Sequence, residues 1–134
     1  MAIRLSNREL QKIVNKVLAV DLAPGKHVFE VFKFLSKFEA AESSIKIVVD
    51  KLVSHNPSEI HEHEKDLWVV LYGNPIFTLG GELVGKTSVP GKVGEWRGVD
   101  VKGGMTVVLN PGDVLEIGTG EPHTHSCPNG TAIM

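Results

Sequence analysis

Glycine- and proline-centred turn signals punctuate the last half of this chain: Gly73-Asn74-Pro75, Gly80-Gly81, Pro90-Gly91, Gly103-Gly104, Asn110-Pro111-Gly112 and Pro128-Asn129-Gly130. Such residues supply positive or fixed φ angles and end regular elements. Between and before them lie β-branched and aromatic runs of strand length, as in Ile45-Lys46-Ile47-Val48-Val49 and Leu67-Trp68-Val69-Val70-Leu71. Short strands at about 8–12-residue spacing predict a mainly β sandwich or barrel rather than a parallel βαβ sheet. Thr131-Ala132-Ile133-Met134 reads as the opening of one more strand.

The first third has a different texture. Ser6-Asn7-Arg8-Glu9 reads as a capping box, and Leu10, Ile13, Val14, Val17 and Leu18 follow at helical spacing. A helix from about Ser6 to Val20 is expected, broken by Pro24-Gly25. A second amphipathic run places Val28, Val31, Phe32, Leu35 and Phe38 on one face, which predicts a second helix packed on the sheet. The expected organisation is therefore one domain, with residues 1–43 as a helical segment and 44–134 as the β-rich body; 134 residues suffice for one core.

Charge narrows the partners. A net charge of -2 with scattered lysines and arginines argues against nucleic acid as partner. No run approaches the roughly 20 apolar residues that span a bilayer, so no membrane is expected. The opening residues lack a secretory apolar stretch and Cys127 is the single cysteine, which reads as a cytoplasmic protein.

Four of the six histidines fall in two tight pairs, His61-Glu62-His63 and His123-Thr124-His125. On a strand, residues i and i+2 share a face, so each pair can aim both rings into one cavity. Neutral imidazole is the commonest ligand of transition metals. His27, on the second expected helix, and His55, in a loop, read as ordinary solvated residues.

His61-x-His63, then Asp66 and Gly73, resembles the first motif of the cupin superfamily. Pro111-Gly112-Asp113, running through Gly118 and Gly120 to His123, resembles the second. A narrower likeness, to small single-domain bacterial cupins, rests on Gly80-Gly81 and Gly94-Glu95-Trp96-Arg97-Gly98 with Gly103-Gly104. The resemblance implies a cupin jelly-roll β-barrel preceded here by two α-helices. It implies one divalent metal held inside the barrel by His61, His63 and His123. Asp66 or water completes the shell, and His125 is a lesser ligand or a neighbour of the site. Asp66 lies an odd three positions after His63, so an unbroken strand would turn it away; a bulge would restore its aim.

Histidine with carboxylate suits Fe, Mn, Ni or Zn, whose open positions can polarise a carbonyl, acidify water or hold dioxygen. Glu62, Glu64, Glu116 and Glu121 are expected partners for the ligand rings. Arg97 offers a planar fork for a substrate carboxylate or phosphate, against a solvated reading; Trp68 and Trp96 either line a pocket or pack between sheets. The expected function is a small-molecule metalloenzyme, an oxygenase or isomerase. The alternative is a non-catalytic cupin that binds a sugar-like or acidic ligand or serves as a structural partner. A homodimer through sheet edges or swapped strands is expected with either.

Overall fold

The computed structural model describes residues 4–31 and 44–134. In chain order these form α1 (Asn7–Ala19), β1 (Gly25–Glu30), β2 (Lys46–Val53), β3 (Ser58–His61), β4 (Asp66–Val69), β5 (Ile76–Leu79) and β6 (Glu82–Val84). They continue with β7 (Thr87–Ser88), β8 (Glu95–Gly98), β9 (Asp100–Lys102), β10 (Met105–Val108), β11 (Val114–Ile117) and β12 (His123–Ile133). The architecture is mainly β, and every strand pair is antiparallel.

Helix α1 starts where the capping box places it. The Glu9 amide donates to the Ser6 hydroxyl, and the Ser6 amide donates back to the Glu9 carboxylate at 2.8 Å. Ile13, Val14 and Val17 are buried against Val31, Ile47, Val49 and Ile133, whereas Leu18 faces solvent.

The second helix is corrected over its first residues. Gly25–Glu30 is a strand paired with β2, in register from Gly25 opposite Lys51 to Glu30 opposite Lys46. Phe29 packs on the α1 core with His27 on the same face, while Lys26 and Val28 share the face of Asp50 and Val48, the alternation of a strand. Val28 lies in β1, where the β2 backbone supplies hydrogen-bond partners that outweigh the local helical pattern, whereas Val31 lies beyond the strand. Phe32, Leu35 and Phe38 lie outside the described residues. One helix, not two, is present among the described residues.

The main sheet runs β1-β2-β12-β3-β8-β7, with β5 also on β12 and β10 on β5; β4–β11 and β6–β9 form separate pairs. Among the described residues the ladders do not close into a barrel. The reason lies in β12, which forks the sheet. Its Cys127–Ile133 part pairs with β2, and its His123–Ser126 part pairs with β5, while His123 also faces β3. Among the described residues, strands β4 and β11 hydrogen-bond in register only with each other.

Strand β2 divides the interior. Ile47 and Val49 face α1; Val48 and Asp50 face the other way, and Val48 joins Val70, Phe77, Leu109, Ile117, Cys127, Ala132 and Met134 in a second core. The chain's last residues end β12 rather than begin a strand, with Val48 and Met134 exchanging two main-chain bonds of 2.9 Å. Gly73 lets the chain after β4 approach this strand. Its φ is +76°, and a Cβ there would stand 2.1 Å from the Thr131 carbonyl oxygen. No helix among the described residues is long and apolar enough to cross a membrane.

Candidate metal centre

Strand β3 alternates cleanly. Ser58 and Ile60 are buried on one face, while Glu59 and His61 project together from the other. Antiparallel register brings neighbours to them: His123 of β12 and Arg97 of β8 lie opposite Glu59, and Glu95 of β8 lies opposite His61. Asp66, the first residue of β4, completes the group from the facing pair of strands.

The ligand atoms of Glu59, His61 and His123 lie within 4.8 Å of one another. His61 Nε2 is 3.3 Å from Glu59 Oε2 and 3.6 Å from Asp66 Oδ2, and His123 Nε2 is 3.3 Å from the same Asp66 oxygen. The two rings are tilted, with centroids 5.2 Å apart. Each imidazole is anchored by its other nitrogen. His61 Nδ1 bonds Glu95 at 2.5 Å, and His123 Nδ1 donates to the Glu121 main-chain carbonyl at 3.0 Å. Anchoring of this kind fixes the ring and presents the Nε2 lone pair inward, as in histidines that bind metals. Separations of 3.3–3.6 Å also match the edges of a coordination shell, since bonds of about 2.0–2.2 Å set neighbouring donors roughly 3–3.5 Å apart.

Electrostatics couples the group. The Asp66 carboxylate, opposed by burial and helped by Glu95, raises the His61 imidazole from 6.5 to about 9. The same contacts, His123 first and His61 second, hold Asp66 well below the usual carboxylate range. Glu59 is paired with Arg97 and lies 3.9 Å from Lys26 Nζ, whose pKa is lowered by burial. Glu59 thus faces the two fixed cations, Lys26 and Arg97, while Asp66 and Glu95 face His61, so with neutral imidazoles three carboxylates meet two cations and one negative charge is in excess.

The residues singled out by sequence fall in three places. His61, His123 and Asp66 meet at the centre, with Arg97 at its exposed edge. His125 and Trp68 form the next layer inward, their ring centroids 5.0 Å apart. His63 and Trp96 stay outside. His63 is exposed in the bend after β3, with its ring against Gly94, where a Cβ would come within 2.5 Å of Cδ2. Trp96 donates to Glu62 at 2.8 Å and carries Lys86 Nζ 4.2 Å above its ring. His61-Glu62-His63 therefore does not lie along one strand.

Asp66 reaches the histidines without a bulge. Strand β3 stops at His61 and β4 starts at Asp66, so the intervening bend cancels the parity argument. Of the expected ring partners, Glu121 serves through its carbonyl, Glu116 pairs with Lys65, and Glu62 holds Trp96. Sequence reasoning missed Glu59, Glu95 and Lys26. Glu59 carried a signal in the same i, i+2 spacing, read backwards from His61.

The chain matches no family model and no curated protein.

Proposed function

We propose that this chain is a cupin-like metalloprotein that holds one divalent transition ion between His61, His123, Asp66 and Glu59 and uses it on a small molecule. The observation that carries this reading is the pair of imidazoles anchored through Nδ1 whose Nε2 atoms meet two carboxylates at coordination-edge spacing. A nitrogen-and-carboxylate donor set suits Fe, Mn, Ni or Zn. A dication offsets the excess negative charge, and open positions on it would polarise a carbonyl, acidify water or hold dioxygen. The reading is that of an oxygenase or isomerase, in a jelly-roll arrangement, working as a cytoplasmic homodimer.

Metal content after purification without added metal tests it. The expected result is near one ion per chain, lost in His61→Ala and His123→Ala. Oxygen uptake after Fe(II) loading then separates oxygenase from isomerase, and light scattering reads the dimer. A second reading draws on the ion pairs: Glu59 with Arg97, and His61 with Glu95, balance charge without an ion. On that reading the protein is a non-catalytic binder of a sugar-like or acidic ligand, and metal content near zero with normal folding would favour it.

A further inference from the structure

The proposed metal centre is one rung of a two-rung ladder between β4 and β12. Asp66 and His123 make the first rung, 3.3 Å apart. Trp68 and His125, each two residues further along the same strand face, make the second. Strand rise sets the rungs about 6.6 Å apart.

The second rung is a polar device in an aromatic wall. Asp50 is completely buried, and its carboxylate takes His125 Nδ1 at 2.5 Å and the Asn56 amide at 3.2 Å. Asn56 also donates to the His125 carbonyl at 2.8 Å, which holds the histidine's main chain. With Nδ1 committed to Asp50, Nε2 is the free nitrogen, and it has no protein partner among the described residues. On the other side of the rung the Trp68 Nε1–H is buried without an acceptor. Phe77 closes the wall, its ring 5.3 Å from Trp68 and 5.4 Å from His125. A core needing only shape would be filled more cheaply by apolar side chains, because buried polar groups are costly unless all are paired. Here the Trp68 donor is buried and unpaired, and His125 Nε2, the nitrogen that Asp50 does not use, is an acceptor on the same rung.

We infer that the second rung is the ligand subsite of the metal centre, built for a small hydroxylated acid. One ligand oxygen binds the ion, and a hydroxyl donates to His125 Nε2 while accepting from Trp68 Nε1–H. A metal–oxygen bond of about 2.1 Å and a hydrogen bond of about 2.8 Å already take up most of the rung spacing, so only the shortest spacer fits: two oxygens on neighbouring carbons, reached along a bent path. The inference rests on the metal reading given above.

The test uses the full chain loaded with Co2+, whose visible bands report ligand entry, titrated with glycolate and with acetate. The wild type is expected to prefer glycolate. Trp68→Phe, which keeps the ring and removes the N–H, should cut that preference about tenfold, as should His125→Gln, with Co2+ stoichiometry and acetate affinity unchanged. Should His125→Gln fail to fold, Trp68→Phe decides alone. An unchanged preference in the folded variants means that chelation alone selects glycolate, and the subsite is overturned while the metal reading stands. A wild-type chain that takes up no Co2+ overturns both.

Discussion

His123 and His125 leave β12 on the same side, two residues apart, yet they are wired in opposite senses. His123 spends Nδ1 on a main-chain carbonyl and turns Nε2 to a carboxylate that is 25% exposed. His125 spends Nδ1 on a carboxylate that is 0% exposed and leaves Nε2 without a partner. Identical residues at identical strand parity therefore acquire different chemistry from the neighbouring strand: β3 and β4 for one, β2 for the other. The half-open cluster keeps donor capacity for an ion. The closed cluster fixes the register of β2 and β12 at the point where the sheet forks.

The two clusters differ most at Asp50, which is 0% exposed. Asp50→Ala leaves His125 Nδ1 without its carboxylate and costs Asn56 one of its acceptors, at that fully buried position. Removing one member of such a buried pair costs about 3–5 kcal/mol, which urea unfolding should read directly. Asp66→Ala, at the half-open cluster, should cost about 1 kcal/mol or less, because solvent can reach the groups left behind. Equal losses at the two sites would mean that exposure does not distinguish the clusters.

Metal affinity gives the reverse order. Glu95 touches no ion in the proposed shell, but it orients His61 through Nδ1. Glu95→Gln should weaken metal binding about 10–100-fold, the usual effect of losing an outer partner. Asp50→Asn, which keeps the shape of the closed cluster, should leave the affinity within a few-fold. Competition with a coloured chelator measures both. A larger effect from Asp50→Asn than from Glu95→Gln would show that the two rungs act as one unit.

Protons sharpen the contrast further. In the metal-free chain the folded pKa of His61 is raised from 6.5 to about 9. Its stabilisation is therefore complete below about pH 6.5 and is lost as pH rises through about 9. Asp66 runs the other way: its folded pKa is lowered, so its contribution is present above 3.8 and fades as pH falls below that. An ion must displace the His61 proton, so apparent affinity should climb about tenfold per pH unit and level off above about pH 9. Affinity that stays flat across this range removes His61 from the shell.

Local signals were the legible ones. Ser6 and Glu9 announce α1 because a capping box closes over three residues, and Lys46–Val53 announces itself by β-branched side chains. What went unread depends on partners distant in sequence. Pro128-Asn129-Gly130 has turn chemistry, yet it sits inside β12 at a register shift between Cys127 and Thr131, because β2 holds the strand on both sides. The fork at β12 leaves no trace in any local window. Glu59 escapes a forward reading of the histidine pair, which leads to His63, because β3 ends at His61 and its face continues backward.

His63 carries the smallest expected effect and the sharpest check on the family resemblance. The bend that removes it from β3 is tied down: the Glu62 amide donates to the Gly94 carbonyl at 2.9 Å, and the Gly120 amide donates to the His61 carbonyl at 2.7 Å. With His61 pinned on one side and Glu62 on the other, the next side chain is directed over Gly94 and away from Asp66. His63→Ala should therefore change stability by no more than about 0.5 kcal/mol and leave metal affinity within about twofold. A loss beyond tenfold would mean that the 62–65 bend rearranges when the ion binds, bringing in the ligand that the His-x-His motif implies. The Glu62–Gly94 bond would then have to open, and hydrogen exchange at the Glu62 amide, faster with metal than without, would detect it.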